Sequence, residues 1–151
     1  MKRSIIFATL LLLSGCQGKI SEEGKKEKRH LQHVSMVGAD LSLLDLKDVD
    51  LSNSNLKHTN MAKADLKGSK LINVNFQGAD LKQANLDATD CRGADFLNAH
   101  LSGATFEQAD LTHARFTGAE VKKADFRGSV GLSEDQKRYL EGRGAFVDEQ
   151  R

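Results

Sequence analysis

The sequence predicts a repeat solenoid, a chain that turns a corner every five residues around one interior, with an export signal before it and a short helix after it. Three observations predict this. An apolar residue recurs at every fifth position from Leu41 to Phe126, eighteen times without an insertion. A small residue stands two positions before most of them, and in eleven of the eighteen it is Ala. Pro is absent from all 151 residues, as a continuous backbone ladder requires.

Five steps of a helix rotate each apolar residue well off the last, so no helical stripe forms. In a flat strand an odd step flips the face each time. Only a backbone that bends every five residues keeps both the large and the small positions inward. Length and composition agree with one small domain. The charges nearly cancel, 22 basic against 21 acidic, so no global field recruits nucleic acid.

The chain opens "MKRSIIFATLLLLSGCQG". Lys2 and Arg3 form a positive start, and Ser4 to Leu13 form a short apolar run. A bilayer span needs about 20 residues, so this run is an export signal. Leu13-Ser14-Gly15-Cys16 resembles the bacterial lipobox. The resemblance implies cleavage before Cys16, diacylglycerol on its thiol and an acylated new amino terminus. Residues 1–15 are then a signal peptide and 16–33 a polar tether with five Lys/Arg against three Glu. His30 and His33 fall in that tether. The resemblance places the protein at the bacterial cell envelope. Gln17, rather than Asp, after Cys16 favours the periplasmic side of the outer membrane in a Gram-negative source.

The repeat itself, A(D/N)Lxx in tandem from Ala39 to Gly128 with a weaker start at Val34-Ser35-Met36, resembles the pentapeptide-repeat family. That resemblance implies an all-β, right-handed quadrilateral parallel β-helix over 34–131, with four pentapeptides per coil and about 4.5 coils. The central residues then form the structural core: Leu66, Phe76, Leu86, Cys91, Phe96, Phe106, Phe116 and Phe126 among them. Residues twenty apart lie above one another at about 4.8 Å. Phe76, Phe96 and Phe116 should therefore stack, and so should Phe106 and Phe126. Gly at 68, 78, 93, 103, 118 and 128 marks a corner that allows positive φ. The Leu-rich first coil, with Leu44 in a small-residue slot, should be the less regular part.

A solenoid needs caps over its open edges. In "LSEDQKRYLEGRGAFVDEQR", Ser133 and Gln136 match a capping box, with Glu134 and Asp135 in the first turn. The expectation is a helix over 134–141 inside a 132–151 cap, with Leu132, Tyr139, Leu140, Phe146 and Val147 over the last coil. The family resemblance makes this end a candidate for homodimerisation.

The stretch "ADLKQANLDATDCRGADF" (79–96) gathers Asp, Asn and Cys as if for chemistry. The position before the central residue is Asp or Asn in thirteen of the eighteen repeats, so the repeat alone accounts for these residues. Cys91 takes the central register and should be a buried, unreactive thiol. The one exposed constellation is the column Asp80, His100 and Glu120. It reads either as a weak candidate metal site or as a surface charge ladder. No phosphate loop, zinc knuckle or catalytic triad spacing is present. The expectation is a non-enzymatic scaffold without a cofactor, bound to membrane lipid through Cys16 and to a protein partner. Two alternatives stand beside it. The first, from family resemblance, is a DNA-mimicking, gyrase-binding protein; the second is a metal-binding enzyme built on His100.

Overall fold

The computed structural model describes residues 30–147; the expected signal peptide, Cys16 and residues 16–29 of the expected tether lie outside them. The chain winds as a parallel β-solenoid in which residue i pairs with residue i+20. Asp80 pairs with His100 and His100 with Glu120, and the same register links His30, Asp50, Lys70, Asp90, Asp110 and Val130. Each step is held by a pair of bonds. The Leu81 N–H donates to the His100 carbonyl (2.8 Å), and the His100 N–H donates to the Ala79 carbonyl (2.9 Å).

Each five-residue unit ends in a β-turn. The Ala84 N–H donates back to the Leu81 carbonyl (3.0 Å), with Gln83 at φ +57°. Every fifth residue from His33 to Gly128 has φ between +53° and +72°. Thirteen of these positions are not Gly. The corner is thus set by the ladder, which holds Leu43, Ala88 or Lys123 in a left-handed conformation that costs L-residues roughly 1–2 kcal/mol. Gly at some corners in the sequence marks where that cost is avoided, not where the corner is.

The central and small positions fill one continuous interior. Leu66, Phe76, Leu86, Cys91, Phe96 and Phe106 have no exposed surface, and Phe116 and Phe126 have almost none. Phe76, Phe96 and Phe116 form one parallel stack, with ring centroids 5.1 and 5.2 Å apart. Phe106 and Phe126 form a second at 4.6 Å. The stacks meet edge to face across the rod, Phe96 on Phe106 at 5.9 Å and Phe116 on Phe126 at 5.4 Å. Such contacts add about 0.5–1.5 kcal/mol per pair beyond burial. Where a hydroxyl takes the small slot it is satisfied locally: Thr89 donates to the Leu86 carbonyl (2.6 Å) and Ser69 to the Leu46 carbonyl (2.7 Å).

Regular pairing starts at His30, four residues before the expected boundary at 34. His30, Gln32 and His33 therefore belong to the coil. The Leu31 N–H donates to the Asp50 carbonyl (2.7 Å), and Ser54 bonds to the Leu31 carbonyl (3.0 Å). The extra unit, centred on Leu31, was hidden because Arg29 and His30 stand where the pattern has Ala and Asp.

At the other end α1 spans Glu134–Glu141, with Ser133 as N-cap and a reciprocal capping box with Gln136. The chain leaves the coil at Gly131, whose φ of +87° and contact with the Thr112 backbone exclude a side chain. Two side chains of α1 then stand in for a missing circuit. Gln136 Nε2 donates to the Ala114 carbonyl (2.8 Å), and the Gly118 N–H donates to the Tyr139 hydroxyl (2.8 Å). One circuit earlier, Ala94 and Asn98 make these bonds to backbone, with Arg115 and Thr117. After α1 the chain rejoins the ladder. Phe146 pairs with Asp125, twenty-one residues on rather than twenty. Ala145 and Val147 turn inward. Phe146 does not cover the coil as expected: it takes the outward slot, 48% exposed, beneath the Arg127 guanidinium at 5.7 Å. Leu140 is fully buried, and Leu132 and Tyr139 pack partly on the core.

Candidate functional site

The outward positions are the places where function can sit. The Asp and Asn before each central residue turn back on their own backbone. Asp80 accepts from the Lys82 N–H (3.1 Å), Asn85 from the Asp87 N–H (3.0 Å) and Asp95 from the Leu97 N–H (3.1 Å). Their chemistry is therefore spent on shaping corners.

The column Asp80, His100, Glu120 is contiguous but does not converge. His100 Nδ1 lies 2.8 Å from Glu120 Oε2, while Asp80 lies 3.5 Å from Lys82 Nζ. The hydrogen bond with His100 lowers the Glu120 pKa. Among the described residues no group of three or more His, Cys, Asp and Glu side chains is arranged to hold a metal ion. Lys63, Lys82, Lys122 and Lys123 share this face. Elsewhere, Asp90 and Asp125 each hold an Arg two residues on with a forked contact, at 2.8 and 2.7 Å for Arg92 and 2.9 and 2.6 Å for Arg127. Those bonds lower both carboxyl pKa values.

Cys91 lies wholly inside, between Leu71 and Leu111, with Thr89 Oγ1 3.2 Å from its sulfur. Burial pushes its thiol up to about 12, which keeps it protonated and unreactive. The stretch that looked like an active site is a repeat unit.

Sequence reasoning missed Asp50, the one buried carboxylate among the described residues. Burial would raise its pKa, but bonds from the Ser52 hydroxyl (2.7 Å), the Ser52 N–H (3.1 Å) and Gln32 Nε2 (2.6 Å) outweigh this and lower it. The only signal was a polar residue twenty before Ser52, which is visible only once the coil is known to start at His30.

The geometry defines a parallel β-solenoid of five-residue units. The chain belongs to the pentapeptide repeat family: residues 30–61, 50–87 and 89–128 match its pattern of Pentapeptide repeats (8 copies). Among solved structures it is similar to a pentapeptide repeat protein from the Arabidopsis thaliana thylakoid lumen. That match has 34% identity, covers 73% of this chain and 79% of the other, and has a TM-score of 0.55. It is also similar to HetL, a pentapeptide repeat protein involved in heterocyst differentiation regulation in the cyanobacterium Nostoc. There the identity is 30%, the TM-score 0.60, and the match covers 70% of this chain but 48% of HetL. A pentapeptide repeat protein from the cyanobacterium Cyanothece matches at 29% identity over 72% of this chain and 68% of its own, with a TM-score of 0.52. These are β-helix proteins, and the chain shares their fold. No curated protein matches the sequence.

Proposed function

We propose that this protein is a non-enzymatic scaffold that presents the faces of its rod to a protein partner at the bacterial cell envelope, held there by lipid on Cys16. The observation that carries the reading is the ladder itself. It fixes the outward side chains of consecutive circuits in rows about 4.8 Å apart, a rigid surface for recognition. The solenoid is taken as the right-handed, four-sided form. Eighteen regular repeats make about 4.5 coils, and the units centred on Leu31 and Met36 bring the pairing from His30 to Val130, five steps of twenty. The lipobox at Leu13-Ser14-Gly15-Cys16 supports the anchor, and Gln17 favours the periplasmic side of the outer membrane in a Gram-negative cell. One acyl chain binds marginally and two or more bind stably, so the acylated amino terminus is part of the anchor.

Cross-linking in intact cells, with the outward residues of one face replaced at a time, tests the scaffold. Loss of one cross-linked protein from one face is the expected result; the same products from every face variant would refute it. A Cys16→Ser variant should leave the membrane fraction.

A gyrase-binding DNA mimic is the second reading. The observation in its favour is that six acids, Asp45, Asp48, Asp65, Asp87, Glu107 and Asp125, share one face with Lys47, Lys67 and Arg127. Against it, residues 34–131 hold 13 acids and 11 bases, a net of −2. Inhibition of gyrase supercoiling by the full chain would revive it.

A further inference from the structure

We propose that the N-terminal end of the solenoid is a self-association surface on which a second copy of this chain docks end to end. Inside the rod, the N–H groups of Asn55, Asn60 and Asp65 donate to the carbonyls of Val34, Ala39 and Leu44 at 2.8–2.9 Å. The equivalent groups one circuit earlier, on Ser35, Asp40 and Asp45, have no hydrogen-bond partner among the described residues. Around them the rim sets apolar surface among polar residues such as Gln32, Ser35 and Asp40. Val37 is 53% and Leu43 63% exposed, and Leu31, Val34, Met36 and Ala39 are only partly covered. An open β edge with such a rim is a template for another strand.

The occupant follows from what the chain offers. The sequence before His30 does not continue the pattern. The next five inward positions would fall on Arg29, Lys26, Gly24, Ser21 and Lys19, three of them basic, so a further circuit in register would bury charge. The opposite end of a second copy is obstructed instead, because α1 and residues 144–146 lie on it and take the backbone groups of Ala114, Gly118, Lys123, Ala124 and Phe126, while the Phe116 and Val121 N–H groups there keep no partner among the described residues. Head-to-tail stacking is thereby blocked, and the like end remains. Two N-terminal ends related by a two-fold axis bring their strands together antiparallel, and the assembly closes at two.

The rod is roughly 20 Å across, from sheets about 10 Å apart plus outward side chains. The interface would then bury about 800 Å² in total, below the range of stable complexes. The expected dissociation constant is on the order of micromolar. Both chains leave the dimer at its middle. Thirteen residues lie between Cys16 and His30, a reach of about 50 Å, so two anchors in one membrane would raise the effective concentration. That last step rests on the lipid reading; the interface does not.

The test measures dimerisation of the full chain in detergent by light scattering across concentrations. Val37→Lys with Leu43→Lys places charge on the rim at no cost to the fold, because Lys57 and Lys63 occupy the same positions one circuit on. This pair should raise the dissociation constant at least about tenfold, and Phe146→Lys should change it by less than about twofold. In the parent chain, the N–H groups of Ser35, Asp40 and Asp45 should gain hydrogen-exchange protection as concentration rises. A parent that stays monomeric to about 1 mM, or a rim pair without effect, overturns the proposal. Loss of the dimer on Phe146→Lys also overturns it, and moves self-association to the C-terminal cap. A Cys16→Ser chain that stays in the membrane fraction as fully as the parent would refute the anchor and leave these results untouched.

Discussion

At the C-terminal end of the rod five Phe rings fill the last coils, a helix covers one side, and two of its side chains replace missing backbone partners. At the N-terminal end Leu, Met and Val fill the interior, and the edge is bare among the described residues. The same five-residue rule built both. The difference teaches that the repeat specifies the interior of a solenoid but not its ends, where each unpaired group needs its own solution. Because stability in such arrays is close to a sum over neighbouring units, the two ends should also differ in local stability.

The largest effect expected from that contrast is in the core. Phe96→Ala removes the middle ring of a stack and one edge contact, and should cost about 3–5 kcal/mol. Leu41→Ala, at the thinly packed end, should cost about 2 kcal/mol. Denaturant unfolding of the two variants checks the order, and equal losses would erase the contrast. Next in size is the cap. Gln136→Ala with Tyr139→Phe leaves the Ala114 carbonyl and the Gly118 N–H without partners, for about 1 kcal/mol each. Hydrogen exchange should rise around Gly118 and not around Leu41.

Acid should act on both ends. Asp50 near one and Asp125 near the other have folded pKa values below the ordinary carboxylate value near 3.9. A depressed folded pKa contributes stability that is fully present above the unfolded value and lost as pH falls through the folded one. Melting temperature should therefore hold above about pH 5 and drop below pH 4. Gln32→Ala removes one of the bonds that lower Asp50, so its titration midpoint should rise while that of Asp125 stays put; NMR of the side-chain carboxyls reads both. The smallest effect is at the corners. Leu43→Gly relieves a left-handed Leu at φ +60° and should stabilise by about 1 kcal/mol or less. Gly118→Ala should destabilise, because the new methyl meets Asn98 at φ +72°.

The sequence carried the period, the inward residues, the Phe stacks, the burial of Cys91 and the bounds of α1, because each rests on a pattern repeated many times or on a local capping signal. It did not carry the start at His30, where the units lack the consensus residues. Nor did it carry the left-handed corners at non-Gly residues, since a ladder that holds twenty corners overrides local preference. Phe146 was assigned to the core by its apolarity alone. The one-residue shift after α1 puts Ala145 and Val147 inward and Phe146 out, and a shift of one reverses every side chain. The column Asp80, His100, Glu120 was readable as a column, but whether its side chains converge depends on Lys82, which no spacing rule includes.

The pairing of residue i with residue i+20 turns chain length into angle. Five residues inserted in the coil would carry everything downstream a quarter turn around the axis, so that each row of outward side chains continues on the neighbouring face. Twenty would lengthen the rod by about 4.8 Å and leave every row in phase. A surface of this kind can be re-aimed or extended by whole units of five without disturbing a single inward contact beyond the joint.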